Sequence, residues 1–390
     1  MKVGVAKEIG PNERRVAVTP DSVRAIKAAG HEVLFEAGAG AGAYLEDAAY
    51  QEAGASIVPG TADLWSRSEV VLKIQPPLPN RSLNLHEADL VNEGATLICM
   101  LRPLSHIDTV KILARRRVIS FSMDMMPRTT RAQRMDALSS MSTIAGYKAV
   151  LIAADTLPRL FPMLVTAAGT IAPSRVLIVG AGVAGLQAIA TARRIGAVVE
   201  AYDVRPAVKE EVESLGATFV GPKLTESETQ DEQGYAKPLS AEARRQGQEM
   251  LESRIPHADV VITTARVPGL PAPRLIPAAA VAGMKPGSVI VDLAADMGGN
   301  CELTQPGETV VRNNVTIHGP VRLASTVPIH ATQMYSKNIT AFLLHLTKDG
   351  KLTFDWSDDI TSGTCVTRDG QIVHAATRTR AEGAATAAAG

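Results

Sequence analysis

The stretch Ser174–Arg205, SRVLIVGAGVAGLQAIATARRIGAVVEAYDVR, constrains this chain more than any other. Val176–Val179 is a short apolar run with β-branched residues, long enough for a buried parallel strand. Gly180, Gly182 and Gly185 follow at G-x-G-x-x-G spacing, and Leu186–Arg194 continues as a good helix former. Gly180 suits a tight turn, Gly182 lets a pyrophosphate approach the backbone, and Gly185 lets helix and strand pack closely. Free N–H groups and the positive dipole at the helix start then face the diphosphate. A second strand, Val198–Tyr202, ends at Asp203, 18 residues past Gly185. A carboxylate there accepts hydrogen bonds from a ribose 2′-hydroxyl and repels a 2′-phosphate, so the pattern reads as NAD(H) and not NADP(H). Arg205 is discordant, because a nearby arginine suits a 2′-phosphate. A lone G-x-G-x-x-G also fits a glycine turn without a ligand. Here the strand before it, the helix after it and the acid ending the next strand together make a dinucleotide site. The candidate cofactor-binding residues are Gly180, Gly182, Val183, Ala184, Gly185, Asp203, Val204 and Arg205, with Thr264 and Ala265 after a later strand.

A chain of 390 residues is too long for one core and implies two domains. Its aliphatic, alanine-rich composition with few aromatics suits an α/β protein with buried parallel sheets. Lys+Arg equals Asp+Glu at 40 each, so no global charge attracts nucleic acid or an anionic membrane surface. Cys99, Cys301 and Cys365 are scattered and odd in number, which fits a reducing compartment. No C-x-x-C pair and no histidine metal spacing occurs, so no metal is expected. The start, MKVGVAKEIG, reads as a strand and a polar loop, not a signal peptide. The most apolar region, Leu151–Pro173, is broken by Asp155, Arg159 and three prolines, so no bilayer-spanning segment is expected. The expectation is a soluble cytoplasmic protein.

Strands are predicted at Lys2–Ala6, Val16–Val18, Glu32–Phe35, Val70–Ile74, Thr96–Cys99 and Val118–Phe121. Thr19-Pro20-Asp21 is a helix start, with Thr19 as N-cap and Pro20 in the first turn. Helices over Asp21–Ala29, Asp47–Ala53 and Ile107–Arg115 complete a first α/β domain. The polar, Arg-rich stretch Met126–Ser142 breaks the rhythm and runs into a long helix, about Leu138–Thr156. Past Asp203 come the helix Ala207–Leu215 and strands near Thr218–Val220, Val260–Thr263, Val289–Val291 and Val315–Ile317, a doubly wound sheet. Thr225–Gln246 is polar and is either a surface helix or a mobile loop. Tyr335–Leu346 is helical in period and reads as the crossing back to the first domain. Thr364–Val373 is a hairpin turning at Asp369-Gly370. The expected domains are 1–137 with 330–380, and 138–329, followed by a disordered tail over 381–390.

Over nearly its full length the sequence resembles the NAD(H)-binding component (domain I, the alpha-1 subunit) of proton-translocating nicotinamide nucleotide transhydrogenase, itself related to alanine dehydrogenase. The runs that carry the resemblance are MPRTTRAQRMDALSSMSTIAGY at 126–147, FPMLVTAAGT at 161–170, VGAGVAGLQAIATARRIGA at 179–197, ESLGATF at 213–219, MKPGSVIVDLAADMGGN at 284–300 and SGTCVTRDG at 362–370. The resemblance implies two Rossmann-like doubly wound parallel-sheet domains with a nucleotide cleft between them. It also implies that the polar loop supplies Arg128, Gln133 and Asp136, with Ser139, around the nicotinamide. Independently, hydride transfer needs donor and acceptor carbons held about 3–3.5 Å apart. Amide and serine donors orient a ring without doing proton chemistry. Tyr235, in GYAKP, falls where similar subunits carry a mobile loop whose tyrosine closes over the nucleotide. Read alone, it is a surface tyrosine on an insertion.

By hand alignment Arg15, Lys73 and Asp296 fall where alanine dehydrogenases hold the substrate carboxylate and the reacting centre, and Lys73 and Asp296 are candidates for an ion pair lining the cleft. That enzyme also needs a histidine acid/base; at the aligned position, in CMLRPL, stands Arg102. An arginine does not shuttle protons at neutral pH. His106, close by, starts a helix. The implied function is a subunit that binds NADH and passes hydride directly to NADP⁺ on a partner. Its expected partners are a second copy of itself, an NADP(H)-binding component and membrane-spanning subunits, with 126–142 a candidate to pair protomers. It would lie peripherally on the cytoplasmic face of the inner membrane, without inserting. The alternatives are an alanine dehydrogenase-like amino-acid dehydrogenase and a non-catalytic NAD sensor.

Overall fold

The computed structural model describes residues 1–222, 225, 229, 240–266 and 270–388, with side chains as far as 383. The chain forms two compact units, Met1–Met141 with Ser325–Gly390, and Ser142–Ala324. The divisions thus follow Met141 and Ala324, where the sequence places them after 137 and 329.

In the first unit, parallel strands run in the order Ile119–Ser122, Thr96–Cys99, Val70–Leu72, Lys2–Val5, Glu32–Glu36, Ser56–Val58. The antiparallel pair Cys365–Arg368 and Gln371–Ile372 extends the Ile119–Ser122 edge. Val70–Leu72 and Thr96–Cys99 are buried along their whole length, as near-continuous apolar runs in parallel sheets require. Thr19 caps the helix Pro20–Ala28, its side chain accepting from the Ser22 N–H, with Pro20 in the first turn. Asp369 and Gly370 take φ values of 53° and 79°, the positive pair that a tight hairpin turn needs.

Two local expectations change. Val16–Val18 is not a strand but buried irregular chain; the Val16 N–H donates to Thr332 Oγ1 at 3.2 Å, so a side chain replaces the ladder. The helix expected at Tyr335–Leu346 is Pro328–His345, because Pro328 fits its first turn. The helix Ala375–Ala388 runs into the stretch 381–390, consistent with alanine's high helix propensity, and residues 389 and 390 lie outside the described residues.

The second unit is a seven-stranded sheet in the order Thr218–Val220, Val198–Tyr202, Arg175–Val179, Val260–Thr263, Val289–Asp292, Val315–His318, Thr309–Arg312. Every pair is parallel except the last. The helix Ala137–Thr156, which contains the division between units, is long and apolar enough by composition to cross a bilayer, whereas the sequence reading expects no such segment. Ala149, Val150 and Ala153 on it are fully buried in this unit's core. A hairpin not anticipated from the sequence, Leu164–Thr166 with Gly169–Ile171, is exposed along both strands. Of the polar stretch 225–246, the described portion ends in the helix Ala241–Arg254, capped by Ser240; Tyr235 lies outside the described residues.

Candidate functional site

In the second unit the chain order of the strands reverses between Arg175–Val179 and Val260–Thr263. The crevice beyond the carboxyl ends of such strands is where open parallel sheets bind ligands. Gly180–Gly182 follows the first of these strands and Thr264–Ala265 the second, so most candidate cofactor residues gather at this one point. The glycines divide their tasks. A Cβ on Gly185 would lie 1.9 Å from the Gly180 carbonyl oxygen, and Gly180 itself has φ 101°. A Cβ on Gly182 would meet nothing within 4 Å. That open space lies at the N-cap of the helix Val183–Arg194, whose cap has no side-chain acceptor. The first-turn N–H groups, Val183 and Ala184 among them, are therefore available to an anion.

Asp203 is buried at the end of its strand. It accepts from the Ala181 N–H at 2.7 Å and from the Arg205 N–H at 2.9 Å. The Arg205 side chain adds Nε at 2.9 Å and Nη2 at 2.8 Å, while Val204 between them is half-buried. The Thr264 hydroxyl donates to the Gly180 carbonyl at 2.9 Å, tying the two loops together. Asn300, fully buried, holds both backbone groups of Ala265: its Oδ1 accepts at 3.1 Å and its Nδ2 donates at 2.9 Å. The same Nδ2 donates to the Pro273 carbonyl at 2.8 Å. Sequence reading does not single out Asn300, although it ends the MGGN run that carries some of the resemblance.

The first unit carries the polar loop. Thr130–Met135 is a short 3-10 helix on which Gln133 is exposed, with Arg128 exposed just before it. Asp136 Oδ1 accepts from the Ser139 N–H at 2.8 Å and Oδ2 from the Ser139 hydroxyl at 2.6 Å. These two candidates therefore stand together at the start of the long helix, as a cap arrangement.

Lys73 and Asp296 take separate partners. Lys73, fully buried, lies 3.2 Å from Glu87 and 3.5 Å from Glu8, while Asp296 pairs with Arg266 at 2.6 Å. Each of these pairs lies within its own unit. Arg15 is likewise clasped by Glu13, at 2.5 and 2.7 Å, and Gln75 donates to the same carboxylate at 2.7 Å. Burial pushes the Glu8 carboxyl up to about 7 despite Lys73 beside it. Burial also opposes ionisation of Glu13, but hydrogen bonds and charge from Arg15 outweigh it and hold that carboxyl near about 2. Arg102 takes φ 47°, its N–H donating to Asp124 Oδ1 at 3.1 Å, and His106 precedes the helix Ile107–Arg115.

Residues 4–145 match the family described as Alanine dehydrogenase/PNT, N-terminal domain, and residues 149–375 match Alanine dehydrogenase/PNT, C-terminal domain. An NAD(P) transhydrogenase subunit alpha protein of Rhodospirillum rubrum is 46% identical over 379 residues, covering 96% of this chain and 98% of that protein. The crystal structure of transhydrogenase from Sinorhizobium meliloti superposes with a TM-score of 0.82 at 39% identity, covering 96% of this chain and 100% of that one. An L-alanine dehydrogenase structure gives the same TM-score of 0.82 at 29% identity, covering 97% of this chain and 99% of that one. The chain belongs to the alanine dehydrogenase/PNT family, with the Rossmann-like folds that its two sheets display.

Proposed function

We propose that this chain is the NAD(H)-binding subunit of a proton-translocating nicotinamide nucleotide transhydrogenase, passing hydride directly from NADH to NADP⁺ held on a partner subunit. The observation that carries the reading is the gathering of Gly180–Gly185, Asp203 and Thr264–Ala265 at the strand-order reversal, in a chain 46% identical to a transhydrogenase alpha subunit. Val183 and Ala184 N–H groups would hold the diphosphate over the open face of Gly182, and Asp203 the adenosine ribose. Bound NADH supplies the hydride at its nicotinamide C4. Arg128, Gln133, Asp136 and Ser139 would fix the ring's orientation by hydrogen bonds, and Tyr235 would close over the nucleotide. Arg102, unable to relay a proton at neutral pH, favours a transfer that needs no base.

Relatives named as alpha subunits support an assembly with further subunits, which under this reading hold NADP(H) and span the membrane. The chain itself would be peripheral on the cytoplasmic face. Exposed Leu164, Val165 and Ile171 on the hairpin support pairing with a second copy. The second reading, an alanine dehydrogenase-like enzyme, is favoured by the equal structural match to L-alanine dehydrogenase.

Parallel NADH assays on the purified chain separate the readings. One contains pyruvate and ammonium; the other contains an NADP(H)-binding transhydrogenase component, NADP⁺ and an NAD analogue. Turnover only in the second supports the proposal, and turnover in the first makes the chain an amino-acid dehydrogenase.

A further inference from the structure

We propose that Asp358, through Arg131, is the positioning residue for the polar loop, and that this ion pair sets where Arg128, Gln133 and Asp136 stand. The inference rests on the reading above that the loop orients the nicotinamide. The loop packs against the helix Pro328–His345. Along Thr130–Met135 only Ala132 is fully buried, and the Arg134 carbonyl accepts one bond, from Asn338 Nδ2 at 2.9 Å. At its centre the Arg131 guanidinium reaches Asp358 Oδ1 at 2.6 Å and also pairs with Asp359. These partners lie 227 and 228 residues further along the chain.

Asp358 is no ordinary surface acid. Its Oδ2 accepts from the Thr361 N–H at 2.9 Å, capping the helix Asp359–Thr364, and from the Thr361 hydroxyl at 3.1 Å. His345 Nε2, at the end of the helix Pro328–His345, lies 3.0 Å from the same oxygen. The carboxylate is therefore oriented before Arg131 arrives, by two helices of the unit. One of them leads directly into the sheet strand Cys365–Arg368. An exposed arginine on such a fixed acceptor adds little to global stability. Its effect is local: it fixes the register of the loop against the helix it packs on, and displacement of about 1 Å in a hydride-transfer site costs on the order of a hundredfold in rate.

The test uses Arg131→Ala and Asp358→Asn in the full chain. Asparagine keeps the helix cap but loses the charge, so the second variant separates latch from cap. Three quantities are measured: amide hydrogen exchange over 128–136, NADH affinity by fluorescence titration, and single-turnover hydride transfer to NADP⁺ on an NADP(H)-binding partner. The expected result in both variants is faster loop exchange, NADH affinity within about threefold of wild type, and transfer slowed by about tenfold or more. Wild-type exchange in both variants overturns the proposal, and so does fast exchange with undiminished transfer. If the unmodified chain transfers no hydride at all, the function proposed for the loop fails, while the exchange rates still decide whether the latch exists.

Discussion

Arg205 grips both oxygens of Asp203, with Nε 2.9 Å from Oδ1 and Nη2 2.8 Å from Oδ2. The N–H groups of Ala181 and of Arg205 itself also donate to it, so four protein donors fix the carboxylate's orientation. The arginine that looks discordant in the sequence is thus held by the acid that, in the proposed function, excludes a 2′-phosphate.

Asp203→Ala should weaken NADH binding by about tenfold and admit NADPH, as it removes the carboxylate that repels a 2′-phosphate and holds the Arg205 guanidinium. The double variant Asp203→Ala with Arg205→Ala should lose that NADPH binding again. Fluorescence titration of all three chains decides it. Equal NADPH affinity in the single and double variants would remove Arg205 from the account.

Asn300→Leu strips the Ala265 N–H of its acceptor and the Ala265 and Pro273 carbonyls of their donor. Each polar group left unpaired costs about 1–3 kcal/mol, so the three together predict a stability loss of at least about 3 kcal/mol in urea unfolding. NADH affinity should fall with it, because Ala265 lines the strand-order reversal. Unchanged affinity in the folded variant would show that the clamp serves the core alone.

Gly146→Ala places a Cβ 2.1 Å from the Ala184 carbonyl oxygen, a backbone atom at the start of the dinucleotide helix. The two helices must move apart, at a cost of about 1–3 kcal/mol. Thermal unfolding measures that cost, and NADH titration should register the shifted helix start. A wild-type melting temperature would mean that the contact yields without strain.

The Glu8 carboxyl, pushed up to about 7 from 4.5, holds its proton in the folded chain where the unfolded chain has lost it. Its contribution is full below pH about 4.5 and is lost as pH rises through about 7. Glu8→Gln removes this dependence while keeping an acceptor for the Ile74 N–H, which lies 2.6 Å from Glu8 Oε1. Relative to wild type, the variant should therefore gain stability between pH 5 and pH 8. Glu13, near about 2, acts in the opposite direction, its contribution fading only as pH falls below 4.5. Urea unfolding at several pH values follows the difference; a constant offset across the range would sink the assignment to Glu8.

Sequence patterns carried the elements whose causes are local. Thr19 and Pro20 mark a helix start, Asp369-Gly370 a hairpin turn, and Gly180 to Gly185 a strand-to-helix turn, each within a few residues. Where burial replaced a ladder, as at Val16–Val18, the apolar pattern misled, because an irregular buried segment and a strand are equally apolar.

The order of amino acids alone was thus enough to specify the fold class, the glycine-rich strand-to-helix turn and the polar loop that precedes a long helix. Backbone conformation and the period of apolar residues act over one or two turns, so their signals are written in adjacent letters. The folded chain was needed to reveal that Asn300 clamps Ala265 from 35 residues away, that Arg131 meets Asp358 from 227 away, and that Lys73 turns to Glu8 and Glu87. Those pairings depend on which chain segments the sheets bring together, and no local spacing records which of many carboxylates or amides will arrive.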